Sequence, residues 1–326
     1  MAAKGIRIGA RALSAVVLMA ASAASWAAWP DKVVRIVVPF AAGGSTDLIA
    51  RKIAEGVSQE TGGNVIVENR PGAGGTVGTE YVARQPADGY TILMGSVSTH
   101  GSATCIYSKL PYDPRKDFTP LAVVATIPNV LVVNRNVKAR TLPEFVALLK
   151  REPEGHSYAS NGQGTSNHLG AELFKATAGV NMVHVPYRGS GPALIDVVGG
   201  QVDAMMDVVM TSYPYIKDGK LTALAVTSPT RSAMLPDVPT VAESGYAGYE
   251  AMVWFGLFAP ANLPADVREP LTQALHKVLA KPAMRGYLEQ QGAQPVDITG
   301  KAFASMIDDE IDKWCGVAKR ASIRLD

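Results

Sequence analysis

Short apolar blocks alternate with glycine-rich polar loops along most of this chain. "RIVVPF" (Arg35 to Phe40) has the length of a strand, and "AAGGSTD" separates it from "LIARKIAEGVSQETGG". In that third stretch Leu48, Ile49, Ile53 and Val57 fall at helical spacing before a Gly62–Gly63 stop. The order then returns: "NVIVEN" as a strand, "RPGAGGTVG" as a loop, a helix through "TEYVARQPADG", and "YTILMGS" as a third strand. Strands alternating with helices predict a mostly parallel α/β sheet, whose ligands gather at the carboxyl ends of the strands, where these loops lie. His156 to Gly179 is again strand, Gly/Ser/Thr/Asn loop and helix, and Asn181 to Asp207 parallels the stretch from "NVIVEN" to "YTILMG". Two similar lobes facing each other across a cleft are therefore expected. Two apolar crossings set their limits: "LAVVATIPNVLVVN" (Leu121 to Asn134) leads out of the first region, and "YEAMVWFGLFAPA" (Tyr249 to Ala261) leads to a final, mainly helical one. The expected division is 28–128 with 252–326 for lobe 1 and 129–251 for lobe 2, the double connection acting as a hinge.

The start of the chain changes the picture of where the molecule works. Lys4, Arg7 and Arg11 precede an apolar, small-residue run from Ala12 to Ala24, and "SWA" at Ser25 to Ala27 offers small residues to a signal peptidase. A signal peptide over 1–27, cleaved after Ala27, is expected, because a cut after Ala28 would put Trp26 at the minus-three position. The run is shorter than the roughly 20 apolar residues that span a bilayer, so an exported, soluble periplasmic chain is predicted. The sequence holds 31 Lys+Arg against 29 Asp+Glu, and loss of the three leader cations leaves 28 against 29. That balance argues against a nucleic-acid partner or a basic membrane-binding face. Cys105 and Cys315 are too few and too far apart for a zinc site; spacing alone leaves a disulfide and two separate buried thiols equally open.

The loops raise the question of what they hold. A phosphate-binding P-loop needs a lysine that "AAGGSTD" lacks, and "GAGGTVG" puts Val77 where a dinucleotide fingerprint needs its third glycine. There is no G-x-S-x-G elbow, and His100, His156, His168, His184 and His276 are scattered without metal-ligand spacing. His100 and His168 follow polar loops, yet a lone loop histidine is more often a structural hydrogen-bonding residue than a base. No catalytic residue, metal or cofactor is expected. Capture of an anion without charge remains: a helix N-terminus offers unpaired N–H groups and a partial positive charge, glycines let a ligand approach the backbone, and hydroxyls add donors. For one loop, Ser45 or Thr46 as a cap, Asp47 as a first-turn acid, and Gly72 and Gly74 as turn residues would suffice. Three such loops, "AAGGST", "RPGAGGT" and "NGQGTSN", on one cleft favour binding of a ligand with carboxylates at opposite ends.

Read together, "WPDKVVRIVVPFAAGGSTDLIAR", "VENRPGAGGTVGTEYVARQPADGYTILMGS", "KLPYDPRKDFTPL", "GTSNHLGAELF", "VPYRGSGPALIDVVGGQVDAMMD" and "GKLTALAVTS" resemble the substrate-binding receptors of tripartite tricarboxylate transporters, the Bug family. The resemblance runs from Trp29 to the end. It implies a two-lobed type II periplasmic-binding-protein fold with two crossing strands, a small carboxylate ligand, and delivery to integral-membrane transporter subunits by a monomeric, non-catalytic receptor. The carboxylate is expected between Phe40 to Asp47 and Arg70 to Thr76, with Thr165, His168 and Asp207 closing from lobe 2. The ligand set so implied is Phe40, Gly43, Gly44, Ser45, Asp47, Gly72, Ala73, Gly74, Ser96, Thr99, Ser160, Thr165, His168 and Asp207. Other readings are a receptor feeding a membrane sensor kinase and a periplasmic enzyme acting on a carboxylate. Two departures stand out: "HGSATCIY" (His100 to Tyr107) replaces a family motif like "HAINPSLY", and Cys315 is unusual near the C-terminus. Both cysteines fall in lobe 1, so the resemblance turns the balance toward a Cys105–Cys315 bridge.

Overall fold

Val34, Ile36, Val37 and Val38 are buried in β1 (Val34–Val38), on both faces of the strand, as in a sheet covered by helices on either side. Pro39, which has no N–H to give a ladder, ends it. The computed structural model describes residues 29–320, 323 and 324; the expected signal peptide and its cleavage position lie outside the described residues. Helix α1 (Ser45–Thr61) turns Ile49, Ile53 and Val57 into the core and stops at Gly62, whose φ of 72° is left-handed. Strand β2 (Val65–Asn69), helix α2 (Thr76–Ala83) and strand β3 (Thr91–Ser96) follow. Helix α2 is shorter than the stretch "TEYVARQPADG" suggests and ends before Pro86, which cannot donate within a helix. A buried π-helical turn (Val97–Ser102) and a single turn α3 (Ala103–Ile106) then lead to β4 (Phe118–Asn134), 17 residues long.

Strand β4 belongs to both halves of the molecule. From Phe118 to Pro128 it pairs antiparallel with β9 (Met252–Pro260), and β10 (Gln294–Thr299) flanks the same half. From Asn129 onward it pairs instead with β7 (Ala204–Val208) and β8 (Leu221–Val226). On the lobe 1 side β1 lies parallel between β2 and β3, and β3 joins β9. On the lobe 2 side β5 (Ser157–Ser160) lies parallel between β6 (Val183–Pro186) and β7. The helices of lobe 2 are α4 (Leu142–Arg151), α5 (Ser166–Ala178), α6 (Ser190–Gly199) and α7 (Val209–Lys217). Helices α8 (Ala265–Ala280), α9 (Pro282–Gln290) and α10 (Gly300–Arg320) return to lobe 1.

Where β4 changes partners, Asn129 and Thr227 tie the two crossings together. Thr227 Oγ1 accepts from Asn129 N–H at 2.9 Å and donates to Ala251 O at 2.7 Å, while Asn129 Nδ2 also donates to Ala251 O. Both side chains are buried, so the junction keeps its polar groups paired while the sheet changes hands. At the far side of lobe 1, Cys105 and Cys315 form a disulfide with Cα atoms 5.1 Å apart, joining α3 to α10. No described helix is long and apolar enough to cross a membrane.

Candidate functional site

Loop 1, Phe40–Gly44, leaves β1 and opens α1 with Gly44 as an N-cap that provides no side-chain acceptor. Asp47 sits one turn in, and its carboxylate is aimed back beneath the loop. It accepts from Gly43 N–H at 3.0 Å, Arg51 Nε at 2.9 Å and Asn69 Nδ2 at 3.0 Å, and Asn69 Nδ2 also reaches Phe40 O. Burial works against its charge, but these donors outweigh the cost and hold its pKa below the usual carboxylate value. Asp47 therefore shapes the loop, and Gly43 spends its N–H on that carboxylate.

Lobe 2 answers with a chain of amides and hydroxyls. Asn167 Nδ2 donates to the hinge residue Asn129 at 3.1 Å, Asn161 Nδ2 donates to Asn167 Oδ1 at 2.7 Å, and the Ser190 hydroxyl lies 3.1 Å from Asn161 Oδ1 and 2.7 Å from Asp207 Oδ1. Asp207 is fully buried; Thr211 and Ser212 also donate to its carboxylate. Desolvation raises its pKa against those four contacts, which include the Val208 N–H. Asp207, expected at the cleft, does not line the cavity itself; its carboxylate accepts from its own turn and from the cavity-lining Ser190.

Between the lobes lies an inner cavity of about 20 Å³ lined by Phe40, Gly44, Ser45, Thr46, Ser96, Ser98, Asn161, Ser166, Asn167, Gly189, Ser190, Val208, Val253 and Phe255. None of these side chains is charged. The N-terminal ends of α1, α5, α6 and α7 all reach it, through Gly44, Ser166, Gly189 and Val208, and α1 and α6 have no side-chain cap. Four helix dipoles with their positive ends on one small, enclosed space favour a negative group there. Ser96 lies buried in the cavity wall as the N-cap of the Val97–Ser102 turn, its N–H donating to Thr99 Oγ1.

An outer chamber of about 380 Å³ adjoins this cavity through Phe40 and Asn161, and adds Gly72 to Gly75, Tyr107, Gly162, Gln163 and Pro186 to Arg188. The lobes touch around it. Ala41 N–H donates to Arg188 O at 3.1 Å, Ser166 N–H to Ser98 Oγ at 3.0 Å, and the Tyr107 hydroxyl lies 2.9 Å from Ala73 O and 3.3 Å from Gln163 O. Gly74, at φ +63°, has no room for a Cβ, which would meet Gln163 O at 2.5 Å.

Of the expected ligand residues, Phe40, Gly44, Ser45 and Ser96 line the cavity, and Gly72, Ala73 and Gly74 line the chamber. Gly43, Asp47, Thr99, Ser160, Thr165, His168 and Asp207 line neither and support those that do. Thr99 Oγ1 accepts from Ser96 N–H and contacts His100 Nδ1 at 2.9 Å; Thr165 caps α5, accepting from His168 N–H. Ser160 Oγ contacts His184 Nε2 at 2.7 Å, and His168 Nδ1 accepts from Gly164 N–H at 3.2 Å. The rings of His168 and His184 stack 4.1 Å apart, with Tyr158 stacked on His184. Burial first, then the neighbouring Lys175 and the other ring, pushes His184 down to about 3; burial, only partly opposed by Glu172, takes His168 to about 4. Both are neutral supports of the loop above them. His100, stacked on Phe258 at 3.8 Å, is held by burial at about 3. Asn161, Ser166 and Asn167 lay within the quoted loop "NGQGTSN", and Ser190 within "YRGSGPA", where a glycine before a serine marks an uncapped helix start. Phe255 and Val253 carried no signal beyond an apolar strand.

Two α/β lobes on paired crossings, closed over a donor-lined cleft, define a solute-binding receptor of the periplasmic type. Residues 49–323 match the tripartite tricarboxylate transporter family receptor, TctC, and the chain belongs to that family. It is 39% identical over 288 residues to a protein of the tcbD-tcbE intergenic region of Pseudomonas sp. (strain P51), spanning 88% of this chain and 85% of that one. Protein BugT of Bordetella pertussis (strain Tohama I) is 36% identical over 298 residues, 91% of each chain. Among solved structures, an R. palustris protein with adipate is similar at a TM-score of 0.88 and 35% identity, covering 91% of this chain and 99% of that one. MatC from Rhodopseudomonas palustris with bound malate is similar at 0.85 and 34%, covering 89% and 99%. These relatives are solute-binding receptors rather than enzymes.

Proposed function

We propose that this receptor captures a small carboxylate in the interlobe cleft and delivers it to the integral-membrane subunits of a tripartite transporter. The observation that carries the reading is the convergence of four helix N-termini on an uncharged cavity lined by serine hydroxyls and asparagine amides. Backbone dipoles and neutral donors hold an anion well where a cation or a neutral sugar gains little. The inner cavity, at about 20 Å³, has room for one water-sized group. A carboxylate is larger than that, so the lobes must part to admit one carboxylate head, and the rest of the ligand occupies the outer chamber. Lobe 1 is taken as residues 28–128 and 252–326 and lobe 2 as 129–251, moving about the Asn129–Thr227–Ala251 junction as a monomer. Export through residues 1–27, with cleavage after Ala27, brings the chain to the periplasm.

A melting-temperature screen of the mature protein tests the reading. Small carboxylates are expected to raise the midpoint and nucleotides, sugars and amines to leave it unchanged. A ligand at about 100 times its dissociation constant adds roughly 2.7 kcal/mol. A strong shift with a neutral sugar and none with any acid would overturn the proposal.

A further inference from the structure

We infer that Cys105 and Cys315 are positioning residues for ligand capture: their disulfide fixes the segment Ser96 to Tyr107, which carries a side-chain clasp from lobe 1 onto lobe 2. The inference rests on the receptor reading above and goes beyond it, since neither cysteine lines the cavity or the chamber. Three side chains of the segment cross to lobe 2, and all three land on one loop. Ser98 Oγ accepts from Ser166 N–H at 3.0 Å, the Ser102 hydroxyl donates to Gly164 O at 3.3 Å, and the Tyr107 hydroxyl lies 3.3 Å from Gln163 O. The same segment walls the ligand space, with Ser96 and Ser98 at the inner cavity and Tyr107 at the outer chamber. Its placement therefore sets both the fit of the closed lobes and the shape of the space they enclose.

Such a segment needs support from outside itself. The π-helical turn Val97–Ser102 and the single turn α3 are shorter than a helix that holds its own shape, and residues 108–117, between Tyr107 and β4, belong to no helix or strand. The support is α10. Gly101 packs on the Trp314 ring so closely that a Cβ would stand 3.3 Å from it, and four residues on the disulfide joins Cys105 to Cys315. Helix α10 is in turn locked to the crossing strand β9, because Glu310 accepts from the indole N–H groups of Trp254 at 3.0 Å and Trp314 at 2.9 Å. The clasp is thus bonded, through one helix, to a strand that joins the lobes. A clasp held in its closing geometry before the ligand arrives gives up less conformational freedom on binding, and the gain appears as slower release.

Titration calorimetry and stopped-flow binding with succinate, malate and adipate test this, far below the melting midpoint, where lost stability does not register as lost affinity. In the double substitution Cys105→Ser with Cys315→Ser the best-bound of these acids is expected to weaken by about tenfold, through faster dissociation at an unchanged association rate. Treating the folded wild type with dithiothreitol, which puts an electron and a proton on each sulfur and itself closes to a cyclic disulfide, should do the same. Tyr107→Phe reads the positioning directly: it should weaken the acid by about fivefold in the bridged protein and by less than about twofold without the bridge, because the hydroxyl is no longer held where lobe 2 meets it. A bridge with a structural role alone would lower the melting midpoint in both bridge-less forms yet leave affinity, dissociation rate and the Tyr107→Phe effect as they were; that result overturns the inference and leaves the carboxylate reading standing. Loss of the native circular-dichroism spectrum in both forms overturns it too, since the bridge would then hold the fold and not the clasp. Binding of no small acid by the wild type overturns the carboxylate reading and this inference together.

Discussion

Loop 1 of lobe 1 (Phe40–Gly44) and its counterpart in lobe 2 (Asn161–Thr165) both leave a parallel strand and both open a helix on the cleft, but they rest on different supports. Beneath the first lies a charged network, Asp47 with Arg51, Asn69 and the Gly43 N–H. Beneath the second lies a neutral stack, His168 on His184 on Tyr158, with His168 accepting from Gly164 N–H and His184 contacting Ser160. Loops in equivalent places are thus held once by charge and once by aromatic packing. A loop held by a carboxylate resists acid down to the titration of that carboxylate; one held by uncharged imidazoles fails as soon as they take up protons.

The largest expected effect comes where lobe 2's loop meets the second glycine loop of lobe 1. In Gly74→Val, the left-handed φ and the 2.5 Å clash of a Cβ with Gln163 O oppose closure together. Ligand affinity should fall by about a hundredfold or more, a loss of roughly 3 kcal/mol. Far-ultraviolet circular dichroism should remain native, and unchanged affinity in a folded variant would show that this contact does not gate closure.

Next in size is Asp47→Ala, which removes the charged support alone. Gly43 N–H and Asn69 lose their acceptor, and Arg51, half exposed, adds little after screening, so a destabilisation of about 2 kcal/mol is expected by denaturant titration. A loss below about 0.5 kcal/mol would mean that loop 1 keeps its shape without the carboxylate.

Smallest, counted for a single residue, is the response of the neutral support to acid. His168 has a folded pKa near 4 against 6.5 for the free side chain, so the unfolded chain binds more protons in between and stability falls as pH is lowered through that window. Between pH 7 and about 5.5 this amounts to about 1 kcal/mol for His168. Asp47, whose pKa is lowered, contributes stability above its unfolded value and keeps it throughout this range. Equal stability at pH 7 and 5.5 would remove the distinction between the two supports.

Much of this architecture was legible in the sequence because it is written as period and punctuation. Ile49, Ile53 and Val57 announce α1, Gly62 ends it, and the alternation of strand and glycine loop gives the two-lobed α/β class. The helix starts at the cleft were legible too, since Gly44 and Gly189 precede small hydroxyl residues. Side-chain direction was not. Asp47 and Asp207 both stand at cleft-facing ends of elements, yet neither lines the cavity, because donors a sequence reading does not place, Asn69 for one and Thr211, Ser212 and Ser190 for the other, engage their carboxylates. The crossing of β4 between the halves was legible as the apolar run Leu121 to Asn134, but its partners were not: the run reads the same on either side of Asn129, and only strands from elsewhere in the chain distinguish the halves.

The disulfide closes a covalent ring of 210 residues in sequence separation, from Cys105 to Cys315. Lobe 2, taken as 129–251, and both crossings lie inside that ring. On the chain-entropy account a ring of this length restricts the unfolded chain by about 5 kcal/mol. It also changes what a cut means. A protease that nicks any exposed turn of lobe 2 leaves two fragments still joined at α3 and α10, so the nicked molecule runs as one species until thiol is added. For a receptor of the periplasm, a surface wound in lobe 2 does not release that lobe from its base.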